Sequence, residues 1–344
     1  MFAAVLLAVL AVANPEFVNR LESGRALFKA GNAAGALKAF DEAAKMAPEN
    51  ASVHYFRGLA LEKQGRARDA LAAYRRAVSL DVKFVEAQNN LGGLLLAEGK
   101  IDLAVAAFRA AIASKPDNAR AYFNLGVCLE RQGKNQEALD AYQQALKLDP
   151  RDGQSALNLG VAQRRAGQQQ AASANLKLAT QLSPKDPHAW TNFGLVLSDA
   201  GKLEQAQTAL RNATQLGPNF APAWQALGRV QFKLKQHPAA AAALGKAALL
   251  DPKSGPIAAD HCQAQAAKKP DAEAVRVCEA AVALDSRAAL PRYVLLKLKA
   301  AAGDCQGAKR MLTAFLQQPD LSERGKQGAT ALVKSCTPAP AARK

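Results

Sequence analysis

Residues 190–194 read WTNFG and residues 224–228 read WQALG, so the same arrangement of an aromatic residue and a glycine recurs 34 residues later. The glycine continues with this period along most of the chain, at Gly24, Gly58, Gly92, Gly126, Gly160, Gly194 and Gly228. Two alanine columns keep the same register, one from Ala36 to Ala240 and one from Ala43 to Ala247. Self-similarity at a fixed period of this length predicts a repeat architecture.

The residue types in these columns indicate closely packed helix pairs. A glycine on the first helix leaves room for a bulky residue on the second, here Phe40, Tyr74, Phe108 and Tyr142. A second glycine column lies between the predicted helices, where a positive φ is needed, at Gly31, Gly65, Gly99, Gly133, Gly167 and Gly201. Prolines close most units, at Pro48, Pro116, Pro150, Pro184, Pro218 and Pro252.

This pattern resembles the tetratricopeptide repeat, because the period, the helix opening and the closing proline coincide with those of that family. The resemblance covers nearly the whole chain. It implies an all-α fold, a right-handed α-solenoid of about nine helix–turn–helix repeats with a C-terminal capping helix. We predict seven clear repeats over residues 17–254, two degenerate repeats over residues 255–320, the capping helix over residues 321–336 and a disordered tail over residues 337–344.

The first residues differ from the repeats, since residues 2–13 form an uncharged apolar run that ends in Ala11-Val12-Ala13. The run is shorter than the roughly 20 residues that a membrane-spanning helix needs, and its small final residues suit a signal peptidase. No Lys or Arg precedes it, so an apolar helix docked on the first repeat is the alternative. We predict a signal peptide at residues 1–13 and a periplasmic or secreted protein, or a cytoplasmic one if the N-terminus is retained.

Four of the five cysteines can be paired from the repeat pattern. Cys262 replaces a column glycine and Cys278 replaces the facing bulky residue, so a disulfide would fill the space that both leave. Cys305 begins the second helix of the ninth repeat and Cys336 lies near the end of the antiparallel capping helix, which makes a second pair. Disulfides belong to an oxidising compartment, whereas the alternative is small buried thiols. We expect Cys128 to be a lone buried thiol.

The chain is basic, with 45 Lys and Arg against 29 Asp and Glu and a net charge of +16. Half of this excess lies after residue 285. A basic end could meet anionic lipid, nucleic acid or an acidic partner. Because no basic stripe alternates with exposed aromatic residues and no nucleic-acid-binding signature is present, we expect no nucleic-acid partner. The sequence does not exclude membrane contact at the basic end, and it does not indicate the oligomeric state.

No pattern in the sequence indicates an enzyme. The histidines are scattered, and the signatures of metalloproteases, serine hydrolases, phosphate-binding loops and dinucleotide-binding folds are absent. His261, Cys262 and Cys278 could contribute to a metal site but lack a recognisable fourth ligand. We therefore predict no catalytic residues, no cofactor and no metal.

Function is expected on the concave face, which the first helix of each repeat lines. The residue two places before the column glycine is asparagine in four consecutive repeats, at Asn90, Asn124, Asn158 and Asn192. An amide both donates and accepts a hydrogen bond, so stacked asparagines could hold an extended peptide backbone. The run resembles the asparagine ladder in the repeat domain of O-linked N-acetylglucosamine transferases, and the resemblance is to that domain alone. Alternatively, asparagine is simply a soluble residue that is common at this position.

Helical spacing places further side chains on the same face. We predict that the peptide-binding groove also includes Arg120, Phe123, Val127, Arg131, Leu157, Val161, Arg164 and Leu195. Equivalent positions hold Glu130, Arg165, His188 and Asp199. An apolar floor with amides and arginines would suit extended segments that carry apolar and acidic side chains. The alternative is that Arg164 and Arg165 are ordinary solvated charges at a helix end.

A carboxylate clamp of the kind found in chaperone-binding tetratricopeptide domains is incomplete. Asn90 and Arg120 could fill two of its places, but Leu59 and Asn124 stand where that family has asparagine and a basic residue. We therefore predict a non-enzymatic protein–protein interaction scaffold, exported and assisting the assembly or maintenance of a cell-envelope or secretion complex. The alternatives are a cytoplasmic co-chaperone or regulatory adaptor and the targeting subunit of a separately encoded glycosyltransferase.

Overall fold

The computed structural model describes residues 15–318 and 321–338, and over these residues the protein is all-α, as predicted. Nineteen helices follow one another, with no strand among the described residues. The predicted signal peptide at residues 1–13 lies outside the described residues. Residues 339–344 of the predicted tail also lie outside them.

Along the chain the described helices alternate as nine consecutive helix–turn–helix units followed by one last helix. Odd-numbered helices open a unit and even-numbered helices close it. Their bounds are α1 (Pro15–Lys29), α2 (Ala33–Met46), α3 (Ala51–Lys63), α4 (Ala67–Leu80), α5 (Val85–Ala97), α6 (Ile101–Ser114), α7 (Ala119–Arg131), α8 (Asn135–Leu148), α9 (Gly153–Arg165), α10 (Gln169–Leu182), α11 (Pro187–Asp199), α12 (Leu203–Leu216), α13 (Ala221–Lys233), α14 (His237–Leu250), α15 (Gly255–Lys268), α16 (Ala272–Leu284), α17 (Ala289–Ala301), α18 (Cys305–Leu316) and α19 (Glu323–Lys334).

The column glycines admit the bulky side chains of the second helices, as the sequence predicts. A Cβ atom added at Gly58 would lie 2.4 Å from Tyr74 Cε1, much closer than non-bonded carbon atoms approach. Tyr74 is fully buried. The facing residue is a leucine in later repeats, and a Cβ added at Gly194 would lie 2.5 Å from Leu210 Cγ. The glycine column is therefore what lets the two helices of a pair pack with a large side chain between them.

In every repeat except the eighth, the connection between the two helices contains a residue in the left-handed conformation. In the first six pairs this residue is the predicted glycine, from Gly31 with φ 84° to Gly201 with φ 75°. The seventh pair places Lys235 there, with φ 60°. A side chain with a Cβ atom is strained in this conformation, whereas glycine is not.

Side-chain N–H groups form hydrogen bonds with backbone carbonyl oxygens in the connections between pairs. Trp190 Nε1 donates to the carbonyl oxygen of Pro184 at 2.9 Å, and Trp224 Nε1 donates to that of Pro218 at 3.0 Å. The equivalent positions of other repeats hold different residues that also bond the carbonyl six residues earlier, namely His54, Gln88 and Arg292. Where this bond forms it uses an N–H donor and not always an aromatic ring, and it is not present in every repeat, since Ala156 and Ala258 occupy the same position.

The chain divides into two compact units, residues 1–162 and residues 163–344. The main hydrophobic core of the first unit is built around Tyr74, Phe108 and Tyr142, all fully buried. In the second unit, one core surrounds Leu210 and others belong to the last repeats. Of the helices that the structure describes, none is long and apolar enough to cross a bilayer.

The structure brings both predicted cysteine pairs to bonding distance. The Sγ atoms of Cys262 and Cys278 lie 2.06 Å apart, and those of Cys305 and Cys336 lie 2.01 Å apart. Cys262 and Cys278 are fully buried within the core of the eighth repeat. Cys128 is buried and unpaired, and burial raises the pKa of its thiol to about 11.

Candidate peptide-binding face

The first helices of the first unit present a row of half-buried side chains at the predicted positions. Helices α3, α5 and α7 contribute residues that pack on the main core of the unit and remain partly accessible. We call these residues, together with the polar ones between them, the first-unit face: Tyr55, Leu59, Asn90, Gly93, Arg120, Phe123, Asn124, Val127 and Arg131. This face combines an apolar floor with amide and charged groups.

Asn90 is tied to the protein itself. Its Nδ2 atom donates to the hydroxyl oxygen of Tyr74 at 3.2 Å, and that hydroxyl in turn donates to Glu62 Oε2 at 2.8 Å. Burial raises the pKa of Tyr74, and the hydrogen bond to Glu62 raises it further, so the phenol is protonated at neutral pH. The chain of hydrogen bonds from Asn90 to Glu62 therefore joins two repeats.

Asn124 has a different environment because the residue equivalent to Tyr74 in the preceding repeat is Phe108, which has no hydroxyl group. The Asn124 side chain is half-buried and forms no hydrogen bond with the residues that the structure describes. Its amide therefore keeps both a donor and an acceptor for a ligand.

The other two asparagines also differ from each other. The Oδ1 atom of Asn158 accepts from Gln154 Nε2 at 3.2 Å, one turn earlier on the same helix. In the second unit, Asn192 Nδ2 donates to the carbonyl oxygen of His188 at 2.9 Å, again on its own helix. The four predicted ladder residues are thus not chemically equivalent, and Asn124 has the most available amide.

Charged groups of both signs act on Tyr55, which belongs to this face. Burial raises the pKa of Tyr55, the Glu86 carboxylate adds to that rise, and the Arg120 guanidinium acts in the opposite direction. Arg131 is exposed, and its Nη1 atom lies 3.4 Å from the carbonyl oxygen of Leu96. Neither Arg120 nor Arg131 forms an ion pair within the described part of the chain.

Several predicted groove residues serve other purposes in the structure. Arg164 Nε lies 2.6 Å from Asp199 Oδ2, so a carboxylate of the protein already neutralises this guanidinium. Leu157 is only 6% exposed and belongs mainly to the core. Val161 and Leu195 are half-buried, and Leu195 packs on the core of the second unit.

The position three residues before the column glycine explains the burial of Leu157. Asn89 and Thr191 are buried at the same position, 6% and 3% exposed. This position therefore points between repeats, where Leu157, Asn89 and Thr191 are buried. The longer side chains of Tyr55, Phe123 and Gln225 remain partly exposed there. These residues have the same position in their repeats, so helical spacing alone could not show which of them would be buried.

Gly93 is a feature of the face that the sequence interpretation missed. It follows the column glycine directly, where the neighbouring repeats have Leu59 and Val127. A Cβ atom added at Gly93 would meet no atom within 4 Å. The signal was present in the sequence, since a glycine interrupts an otherwise aliphatic column. Gly93 leaves a gap in the row of side chains on the face.

Comparison with protein families identifies one match. The tetratricopeptide repeat model matches residues 21–83, 89–152, 131–187 and 191–256, which together are more than half of the chain. No curated protein sequence matches the chain significantly.

Several solved structures are similar in fold. A chain of the APC/C hetero-tetramer Cut9–Hcn1 is 20% identical with a TM-score of 0.57, and the match covers 77% of this chain and 52% of that one. PilF of Pseudomonas aeruginosa is 22% identical with a TM-score of 0.54, covering 63% and 96%. A tetratricopeptide repeat protein from Parabacteroides merdae is 15% identical with a TM-score of 0.53, covering 73% and 100%. The chain thus spans about half of the Cut9–Hcn1 chain, and these likenesses concern the fold alone.

Proposed function

The chain belongs to the tetratricopeptide repeat family, whose members bind other proteins or peptides, and we propose that it holds extended peptide segments on its first-unit face. Proteins of this family are generally non-catalytic scaffolds. The observation that carries the proposal is the half-buried Asn124 amide, which has no partner among the described residues and lies beside Phe123 and Val127.

An amide at this position suits the backbone of an extended peptide. Each residue of such a peptide offers one N–H donor and one carbonyl acceptor, which match the two ends of the Asn124 side chain. Phe123 and Val127 add apolar surface for one side chain of the ligand, and Gly93 leaves space for another. The face therefore favours an extended conformation more strongly than one particular sequence.

The charges of the face favour apolar segments that also carry acidic residues. Arg120 and Arg131 have no ion pair with described residues, so a ligand carboxylate can approach either of them without displacing another carboxylate. Arg164 contributes less than the sequence predicts, because Asp199 already neutralises it.

We test this proposal by crosslinking capture from intact source cells, with identification by mass spectrometry. The variant Asn124→Ala/Asn158→Ala should lose partners that the wild type captures. A matched control is Asn175→Ala, because Asn175 lies on a second helix and bonds Gln163 within the second unit. Capture that is unchanged in the double variant, or lost equally in the control, would contradict the proposal.

We further propose that the protein is exported and assists the assembly or maintenance of a cell-envelope or secretion complex. The apolar residues 2–13 and the two cysteine pairs at bonding distance support export, because disulfides persist in oxidising compartments. Intact mass and thiol alkylation of the protein from its source cells test this. Cleavage after residue 13 and one alkylated thiol, that of Cys128, are expected. A retained N-terminus with five reactive thiols after denaturation would instead favour a cytoplasmic adaptor.

A further inference from the structure

The second unit carries a cleft on its first helices that differs in chemistry from the first-unit face. At the position of the asparagine column, the last three repeats have Ala226, Asp260 and Val294. An open cleft of about 430 Å³ extends along α13, α15 and α17. We call it the terminal cleft, and its apolar lining includes Phe232, Ala266, Ala267, Leu290, Tyr293 and Val294.

The lining of the terminal cleft exposes apolar surface, and Val294 occupies the position at which four earlier repeats have asparagine. Leu290 is 37% exposed, and the Tyr293 and Val294 side chains are half-buried at the cleft wall. Water in contact with such a surface is unfavourable, so a ligand that covers it gains free energy from burial. The cleft volume lies within the range of about 300 to 1,000 Å³ that is common for ligand sites.

Lys297 is the charged residue that lines this cleft. Its Nζ atom lies 5.9 Å from the ring centroid of Tyr293, and it forms no ion pair within the described residues. Lys299, two residues later, behaves differently, because its Nζ atom lies 3.0 Å from Glu279 and 3.7 Å from Asp304. One face of α17 therefore carries a neutralised lysine, and the cleft face carries an ammonium group with no carboxylate partner.

We propose that the terminal cleft binds a peptide segment of a partner protein in which at least two large apolar side chains adjoin a carboxylate. The apolar side chains cover the walls around Val294 and Leu290, and the carboxylate pairs with Lys297. A peptide is the committed ligand because the open cleft runs across three successive first helices, which gives room for several neighbouring side chains, and its lining pairs apolar walls with one ammonium group. The inference rests on the proposed peptide binding and adds a second site with its own selectivity.

The first experiment is a selection of random seven-residue peptides displayed on phage, using the full-length protein with its cysteines oxidised. Enriched sequences that also bind the variant Ala267→Trp are then removed. In this variant a tryptophan side chain replaces an exposed alanine of the cleft wall and fills the cleft. We expect the surviving sequences to contain two or more of Leu, Ile, Phe and Met beside Asp or Glu. Basic or wholly polar sequences, or no sequence that distinguishes the two proteins, would overturn the proposal.

The second experiment measures the Kd of one selected peptide, labelled with fluorescein, by anisotropy. Leu290→Asp should weaken binding at least 10-fold, because it places a charge in the apolar wall. Leu249→Asp is its matched control, since Leu249 is 80% exposed on α14, a second helix, and should leave the Kd within 2-fold. Thermal melting of each variant confirms that the protein is folded.

A charge exchange tests the role assigned to Lys297. Lys297→Glu should weaken the acidic peptide at least 5-fold and strengthen a version in which its Asp or Glu is replaced by Lys. Lys309→Glu makes the same charge change on the exposed surface of α18 and should change neither affinity more than 2-fold. Equal effects at both lysines would show a general influence of net charge and overturn the proposal.

The same variants also test two other possible ligands of the terminal cleft, a fatty acid and a second copy of the chain. If labelled palmitate binds with the same dependence on Leu290 and Lys297 while no peptide does, the cleft is a fatty-acid site and the proposal is wrong. If Leu290→Asp converts a dimer into a monomer in analytical ultracentrifugation, the ligand is a second copy of the chain and the proposal is again wrong. Asn124→Ala/Asn158→Ala should leave peptide binding at the terminal cleft unchanged, so the two sites can fail separately.

Discussion

The Nδ2 atom of Asn90 lies 3.2 Å from the hydroxyl oxygen of Tyr74, so the first asparagine of a four-residue column is bonded to the second helix of the preceding repeat. The next repeat lacks this bond, because Phe108 takes the place of the tyrosine. One column of identical residues therefore has two roles. Asn90 bonds the preceding repeat, whereas we propose that Asn124 binds a ligand.

The first prediction separates these two roles. Asn124→Ala should weaken binding of a captured partner segment about 2- to 10-fold, the effect of losing one hydrogen bond worth roughly 0.5–1.5 kcal/mol. It should leave thermal stability nearly unchanged. Asn90→Ala should instead lower the local stability of α4 and α5 by about 1 kcal/mol, measured by amide hydrogen exchange. The interpretation is wrong if Asn124→Ala and Asn90→Ala change partner affinity and local stability to the same extent.

The second prediction compares two helical glycines. Gly58→Ala should destabilise the second helix pair by about 1–3 kcal/mol, because its Cβ atom would meet the buried ring of Tyr74. Gly93→Ala should stabilise α5 by about 0.5–1 kcal/mol, because its Cβ atom meets nothing and alanine favours a helix. Urea unfolding of the two variants, followed by circular dichroism, should show shifts of opposite sign.

The third prediction concerns Lys235, whose φ of 60° is the left-handed value that glycine supplies in the first six repeats. Lys235→Gly should raise the free energy of unfolding by about 1 kcal/mol, since relief of backbone strain exceeds the added entropy of the unfolded chain. The measurement is thermal melting beside the control Lys253→Gly. A lower melting temperature for Lys235→Gly would mean that the lysine side chain stabilises the turn in some other way.

The fourth prediction concerns the last repeats. Loss of the bond between Cys305 and Cys336, which closes a sequence separation of 31 residues, should lower local stability by about 2–4 kcal/mol. Because each repeat contacts mainly its neighbours, the loss should appear in hydrogen exchange of α17 to α19. Exchange in α3 and α4 should be unchanged in the variant Cys305→Ala/Cys336→Ala. A uniform increase of exchange along the chain would contradict a local effect.

Much of the fold could be predicted from the sequence because each repeat solves the same packing problem with the same residue types. Gly58 and Tyr74 are recognisable as a pair without coordinates, and so are Cys262 and Cys278, which occupy the equivalent places in the eighth repeat. These positions are fixed by contacts inside one repeat. The regular spacing of the sequence is therefore enough to predict which of these residues contact each other.

The candidate face was harder to predict because its properties depend on contacts between different repeats. The availability of Asn124 depends on Phe108 in the preceding repeat, and the burial of Leu157 depends on the size of its side chain. The ion pair of Arg164 with Asp199 joins residues 35 positions apart that both read as groove charges in the sequence. Helical spacing assigns such residues to one face but does not show which of them satisfy each other.

The measurement that tests the central claim most directly is photocrosslinking in intact cells with a benzophenone amino acid at position 93. Position 328 is the matched control, because an added Cβ atom meets no atom within 4 Å at either helical glycine. The proposal predicts that position 93 crosslinks to a defined protein through an extended segment, which mass spectrometry of the crosslinked peptides identifies, and that position 328 does not. Equal crosslinking at both positions, or none at position 93 while partners are captured elsewhere, would contradict the claim that the first-unit face binds peptide segments.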